Sequence, residues 1–224
     1  KSNNDFDEIK ANHLDIMHSW QKWKDYTMSN LFYMNGTNAI AVQESAYVKE
    51  DIQESYEKLF GEALKEYNEK QKKPCRRIEN YYEHIKNSKR EEHFYEAVIQ
   101  FGNVENTSCS SERGAVAKQM LDEYMKNFEK RNPNLHVFNA VLHLDEASPH
   151  LHIDFIPFYF KNRKNGLSKG VSMKAALDEQ GFTASSKKLN RLVAWELSER
   201  NAMEKILKSH GLSRVEMNAH YKHK

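Results

Sequence analysis

The chain has 224 residues and a mass of 26.3 kDa, room for one large domain or two small ones with a real core. Hydrophobic residues at 39% and aromatics at 11% exclude a disordered chain, and eight glycines with four prolines exclude collagen-like or low-complexity architecture. The net charge of +2, from 34 basic and 32 acidic residues, neither demands nor excludes nucleic acid, so its distribution must decide. No apolar run approaches the roughly 18 residues of a membrane span, and residues 1–5 open no signal peptide. Two cysteines, Cys75 and Cys109, give no disulfide framework; the expectation is a cytoplasmic protein with both thiols reduced. The chain opens on Lys1 rather than Met, and a fragment or processed form is expected.

Residues 5–31 carry Ile9, Leu14, Ile16, Met17, Trp20 and Trp23 near helical spacing and are expected as a helix. Asn35-Gly36 signals a turn, and 38–44 a short strand. Asp51 opens a long charged helix, 51–71, with Ile52, Tyr56, Leu59, Phe60, Ala63 and Tyr67 on one face. Pro74 breaks it, and 76–86 reads as a further short helix. Residues 94–101 alternate and carry β-formers, which predicts a strand. A polar loop, 103–111, precedes a helix at 114–131 that turns Val116, Met120, Leu121 and Met125 inward and ends at Asn132-Pro133-Asn134. Residues 136–144 and 150–160 are strands, too close in sequence for anything but an antiparallel hairpin. A basic loop at 161–170, short helical stretches and a long helix at 186–211 ending on Gly211 complete the chain. This order predicts an α+β fold, an antiparallel β-sheet with helices packed on one face. It reads as a single domain, 1–224, with a helical N-terminal segment at 1–37 and a helical insertion at 51–90.

The informative segment is 141–154, Val-Leu-His-Leu-Asp-Glu-Ala-Ser-Pro-His-Leu-His-Ile-Asp. His150 and His152 lie two apart on a strand, so both project from one face. Leu151, Ile153 and Phe155 then face the other way, into apolar packing. His143 ends the preceding strand and comes within reach if the two strands pair as neighbours. Three imidazoles converging on one point make a good site for a borderline divalent cation. Such an ion, left with open positions, suits phosphodiester chemistry because it stabilises charge on a non-bridging oxygen. Asp145 and Glu146 sit in the turn. One is expected to orient an imidazole through its second nitrogen, the other to accept a proton or touch the metal. A structural zinc site lacks an obvious fourth ligand. The histidines at 13, 18, 84, 93, 136, 210, 220 and 223 have no comparable spacing and read as structural or exposed.

The stretch 143–152, His-Leu-Asp-Glu-Ala-Ser-Pro-His-Leu-His, resembles the metal motif H-x-D-E-x-x-P-H-x-H of plasmid mobilisation relaxases of the Mob/Pre family, also called plasmid recombination enzymes. That motif is a variant of the His-hydrophobic-His signature of HUH endonucleases. Residues 56–71, 77–85, 119–125 and 165–173 also look similar to family segments, so the resemblance runs from about residue 40 to the C-terminus. The resemblance implies a relaxase, an enzyme that nicks one DNA strand at an origin of transfer, attaches to the 5′ phosphate and later reseals the strand. It implies a Mn²⁺ or Mg²⁺ ion held by His143, His150 and His152 on central strands of an antiparallel sheet. The implied partners are single-stranded DNA with an origin hairpin and the coupling machinery of conjugation, in a bacterial cytoplasm. Family members carry an N-terminal H-N-x-R motif beside the nucleophile, and no H-N-x-R occurs here; residues 12–15 read Asn-His-Leu-Asp. His13, His18, Tyr26 and Tyr33 are the substitutes within the chain. The rival readings are a rolling-circle replication initiator or single-strand transposase, which require a placed tyrosine, and a DNA-binding remnant that does not cut.

Residues 161–191 contain Lys161, Arg163, Lys164, Lys169, Lys174, Lys187, Lys188 and Arg191 against Asp178 and Glu179. The loop holding Lys161, Arg163 and Lys164, with Lys169 beyond it, directly follows the histidine strand. It is expected to grip DNA phosphates leading into the site, with salt-sensitive affinity. Tyr159 and Phe160 read first as core aromatics and second as stacking platforms for an unpaired base.

Overall fold

A computed structural model describes residues 45–102, 107–144, 146–161, 166–184, 186 and 190–212, and the backbone of 14–17. Expectations for the turn at 35–36, the strand at 38–44 and the remainder of 5–31 lie outside these residues. Where 5–31 is described, it departs from the predicted helix: Leu14–Met17 is a strand, β1. Leu14 and Ile16 lie two apart, so the same residues that suggested a helix also fit a period of two. The backbone of β1 pairs with a neighbouring strand from Leu14↔Ile99 to Met17↔Glu96, and tertiary pairing overrides local propensity.

A strand the sequence did not suggest, β2, runs over Ser45–Lys49. Helix α1 spans Ile52–Glu69, and Asp51 caps it by accepting from the amides of Gln53 and Glu54. The helix ends at Glu69 with Lys70 as its C-cap, before Pro74, which instead opens a single 3₁₀ turn at Pro74–Arg76; the helix expected at 76–86 shrinks to α2, Tyr81–Lys86, capped by Asn80. Strand β3 is Tyr95–Gln100. Helix α3, Glu112–Lys126, starts two residues earlier than expected because Ser111 accepts from the Gly114 amide as its cap. Asn127 interrupts it, and a short α4, Phe128–Arg131, follows. Strands β4, Leu135–His143, and β5, His150–Phe160, form the predicted hairpin. Strand β6, Lys169–Val171, emerges from the basic loop. Helices α5, Met173–Glu179, and α6, Arg191–Ser209, close the described chain. Gly211, at φ +73°, takes the left-handed turn that stops α6, and the Leu212 amide closes back onto the Leu207 carbonyl.

The sheet is antiparallel in the order β1-β3-β5-β4-β2, with β6 paired to the far end of β5. Helices α3 to α6 cover one face, burying Met120, Leu121, Tyr124, Phe128, Trp195 and Leu207 against Ala97, Ile99, Leu151, Ile153 and Phe155. The expectation of helices on one face is corrected at this point. Helices α1 and α2 pack Tyr56, Phe60, Tyr81, Tyr82 and Ile85 on Phe138, Ile156 and Val171, on the opposite face. That face is polar near the start of β5 and apolar farther along, and the apolar half needs its own cover. Among the described residues no helix is long and apolar enough to cross a membrane.

One polar cluster lies inside the larger helical layer. Glu199 is 1% exposed. Its carboxylate accepts from Tyr124 Oη, from Asn132 Nδ2 at 3.0 Å and from Arg131 Nη2 at 2.9 Å. Asn132 in turn accepts from Trp195 Nε1 at 2.6 Å. The cluster ties α3, α4 and α6 together with directional bonds that apolar packing lacks.

Candidate metal centre

The pairing register builds the site. Across β3, β5 and β4, the face opposite the main core reads in three rows. They are Gln100–His150–His143, Val98–His152–Val141 and Glu96–Asp154–Asn139. Leu151, Ile153 and Phe155 are 0% exposed on the other face, as the period of two requires. His143 joins the histidine face because of a β-bulge. In β4, Leu135 and Val137 point into the main core, and strict alternation would send His143 there too. The register shifts between Val137 and Asn139, leaving Phe138 as the extra residue. Everything beyond it changes face, so Ala140 and Leu142 enter the core and His143 leaves it. The Phe138 carbonyl accepts from the Glu50 amide at 2.7 Å, and the Glu129 carboxylate accepts from the Val137 amide at 3.2 Å, so the bulge leaves neither group unpaired.

The three imidazoles stand together as predicted. Ring centroids are 5.1 Å apart for His143–His150, 4.9 Å for His143–His152 and 5.1 Å for His150–His152. Ligand atoms of His143, Glu146 and His150 lie within 4.8 Å of one another. His152 joins this set by ring distance rather than by that tighter measure. Glu146 is exposed, and its Oε2 lies 3.8 Å from His150 Nε2. Asp145 lies outside the described residues.

For His150 and His152 the orienting partners are Ser148 and Glu96. His150 Nδ1 lies 2.9 Å from the Ser148 carbonyl. A carbonyl can only accept, so Nδ1 carries a proton, and in the neutral ring that binds a metal Nε2 presents the lone pair. His152 Nδ1 donates to Glu96 Oε1 at 2.6 Å, which leaves its Nε2 in the same state. Carboxylate and carbonyl partners of this kind fix tautomer and ring plane at metal sites. Sequence reasoning assigned that task to Asp145 or Glu146 and missed Glu96, which lies 56 residues from His152. The available signal was weak: Glu96 and Gln100 share one side of the strand, with Val98 between them, while Ala97 and Ile99 on the other side are apolar.

Charge at the site follows from burial and from Glu96. Burial alone would lower the His152 pKa, but the Glu96 hydrogen bond and charge, helped by Asp154 and Glu146, outweigh it and raise it. Asp154 is 6% exposed. Burial and the nearby Glu96 charge push its carboxyl up to about 7, although Asn139 donates to it at 2.7 Å. The donor set of two fixed Nε2 lone pairs, His143 and the Glu146 carboxylate suits a borderline or hard divalent cation. Replacing Glu96 by alanine is expected to weaken Mn²⁺ affinity by about 10–100-fold, with Glu96→Gln retaining part of it, measured by isothermal titration calorimetry.

The described basic residues Lys161 and Lys169 lie elsewhere. The histidines occupy the start of β5 and Lys161 follows its end, so nearly the whole strand separates them, roughly 30–36 Å at about 3.3 Å per residue. Lys161 thus follows the histidine strand, as expected, at the end of β5 away from the imidazoles. Lys161 Nζ sits 5.1 Å from the Tyr159 ring, and Lys169 Nζ lies 4.2 Å from Phe158, 5.4 Å from Phe160 and 5.8 Å from Phe60. Phe160 is 64% exposed and is no core residue. Arg163 and Lys164, like His13, His18, Tyr26 and Tyr33, lie outside the described residues.

The fold and site thus define a class: an α+β protein with a cluster of three histidines on one sheet face, suited to a divalent cation. The sequence supplies the family. Residues 36–191 match the Mob_Pre model, described as plasmid recombination enzyme, and the chain belongs to that family. No curated protein matches the chain. Among solved structures, two similar chains are Mn-bound crystal structures of the MobM relaxase domain (MOBV; Mob_Pre) with oriT DNA of plasmid pMV158. One, at pH 6.8 with a 22-nucleotide DNA bearing a 3′ thiophosphate, is 17% identical over 95% of this chain and 92% of that chain, with a TM-score of 0.46. The other, at pH 6.5 with a 23-nucleotide DNA, is 18% identical over 95% and 92%, also with a TM-score of 0.46. At that level of likeness no residue of this chain takes a role from those structures.

Proposed function

We propose that this member of the plasmid recombination enzymes is a metal-dependent DNA relaxase. It nicks one strand at an origin of transfer, holds the 5′ phosphate and rejoins the strand. The observation that carries the reading is the convergence of His143, His150 and His152 on one sheet face with Glu146 at the rim. These side chains hold the ion, which when bound supplies positive charge against a non-bridging phosphate oxygen. Ser148 and Glu96 keep the His150 and His152 protons on Nδ1. Glu146 or Asp145 accepts a proton. Lys161, Arg163, Lys164 and Lys169 contact DNA phosphates. The whole chain, 1–224, acts as one relaxase domain with 51–90 inserted, and works in the bacterial cytoplasm on single-stranded DNA with an origin hairpin, alongside the conjugation coupling machinery.

The test is cleavage of single-stranded oligonucleotides from the parent element's predicted transfer origin, with Mn²⁺, Mg²⁺ or EDTA. The expected result is a metal-dependent nick with protein on the 5′ end, absent with EDTA; mass spectrometry of the adduct names the nucleophile, with His13, His18, Tyr26 and Tyr33 the candidates. Metal and DNA binding without a nick would overturn the cleavage reading in favour of a non-cutting DNA-binding protein.

A further inference from the structure

The turn between α1 and α2 reads Lys70-Gln-Lys-Lys-Pro-Cys-Arg-Arg77. It holds five cations and no acid, more positive charge than the net +2 of the whole chain. Lys70, Lys72, Lys73, Arg76 and Arg77 are all exposed, and none forms an ion pair among the described residues. An exposed run of like charge repels itself and is ordinarily loose. This one is held in place. The Asn68 side chain brackets Ile78, donating to its carbonyl at 2.8 Å and accepting from its amide at 2.9 Å. Tyr67 Oη donates to the Arg76 carbonyl at 3.2 Å, and Pro74–Arg76 forms a 3₁₀ turn. The self-repulsion is borne by a fixed backbone, as expected of a surface shaped to meet an anion.

Its position gives the anion's identity. Helices α1 and α2 pack on the same sheet face that carries the histidines. Phe60 of α1 touches Lys169, and Lys70 lies ten residues on, about 15 Å farther at 1.5 Å per residue. Lys161 and Lys169 at the end of β5 and the five cations of the turn thus form two basic groups, and α1 between them carries the exposed Glu62, Glu66 and Glu69. A linear polyanion is the ligand that two separate basic groups can both meet, and DNA presents one charge per roughly 1.7 Å of duplex axis.

We propose that the turn 70–77 is a DNA-backbone contact, and that the α1–α2 insertion is a clamp that holds the strand or hairpin stem beyond the cleavage site. This rests on the relaxase reading and adds to it the surface that grips DNA without touching the chemistry. The contact is to phosphates, so it confers affinity and salt dependence rather than base preference.

The test compares K72Q/K73Q/R76Q/R77Q with a control of equal charge change on the opposite helical layer, K126Q/K130Q/K205Q/K208Q. All eight side chains are exposed, and the ion pair of Lys208 with Glu204 is itself on the surface, so both variants are expected to fold, as circular dichroism would verify. Binding of labelled hairpin and linear oligonucleotides of equal length is followed by fluorescence anisotropy against salt. The turn variant is expected to bind at least about tenfold more weakly near 0.1 M salt, and its log–log salt slope to fall by roughly two to four, with the control near wild type. Mn²⁺ affinity is expected to be unchanged in both. Equal losses in the two variants, or none in the turn variant, would overturn the clamp while leaving the relaxase reading intact. A wild-type chain that binds Mn²⁺ but no DNA would instead overturn the relaxase reading, and the clamp with it.

Discussion

Replacing His150 and His152 together by alanine is expected to abolish measurable Mn²⁺ binding. The loss should exceed the 10–100-fold typical of removing an outer partner, because two of three nitrogen donors disappear. The nick disappears with it. The fold is expected to survive. Both side chains project from the open face, while Leu151, Ile153 and Phe155 between and beyond them fill the core unchanged. What is lost structurally is one hydrogen bond to the Ser148 carbonyl and one to Glu96, about 1–3 kcal/mol in all. Calorimetry with Mn²⁺, read beside urea unfolding of the same protein, separates the two effects. A folded double variant that binds Mn²⁺ like wild type would remove the three-histidine cluster as the metal centre. The contrast with Glu96→Ala is informative, since that variant keeps all three imidazoles and loses only the group that steers one of them.

Glu199→Ala is expected to be the most damaging single change to stability, about 3–5 kcal/mol by urea unfolding. The carboxylate is the acceptor for Tyr124, Arg131 and Asn132 at once, and Asn132 passes the link on to Trp195. Removing it strands a half-buried guanidinium, a buried phenol and a buried amide among apolar side chains. Tyr124→Phe, which removes one donor and leaves the carboxylate with Arg131 and Asn132, is expected to cost far less, about 1 kcal/mol. The cluster lies behind the sheet from the histidines, so Mn²⁺ affinity of the still-folded fraction should not change. A cost below about 1 kcal/mol for Glu199→Ala would show that water or a shift of α6 supplies the missing acceptor.

Much of the fold was legible locally. Asp51, Asn80, Ser111 and Asn190 each accept from an amide in the first turn of the helix they open, and such caps act within three residues. The strands 150–160 and 136–144 announced themselves by alternation and by the short turn between them. The errors came where a neighbour decided. Leu14–Met17 has too few residues to fix its own period and took the conformation that β3 offered it. Ser45–Lys49 likewise became a strand because the outer edge of β4 was there to pair with.

The sequence by itself determined that His150 and His152 share a face and that Leu151, Ile153 and Phe155 oppose them, because the geometry of a strand makes that a matter of parity. It also determined the family, through a ten-residue motif and its surroundings. Three things were decided only by the tertiary structure. The bulge at Phe138 put His143 on the histidine face, against the alternation of its own strand. The β3–β5 register brought Glu96 to His152 from 56 residues away. The length of β5 carried Lys161 and Lys169 to the far end of the sheet, toward the helical hairpin. Parity along one strand is a local property, whereas register, bulges and the cover on each face are set by pairing between segments distant in the chain.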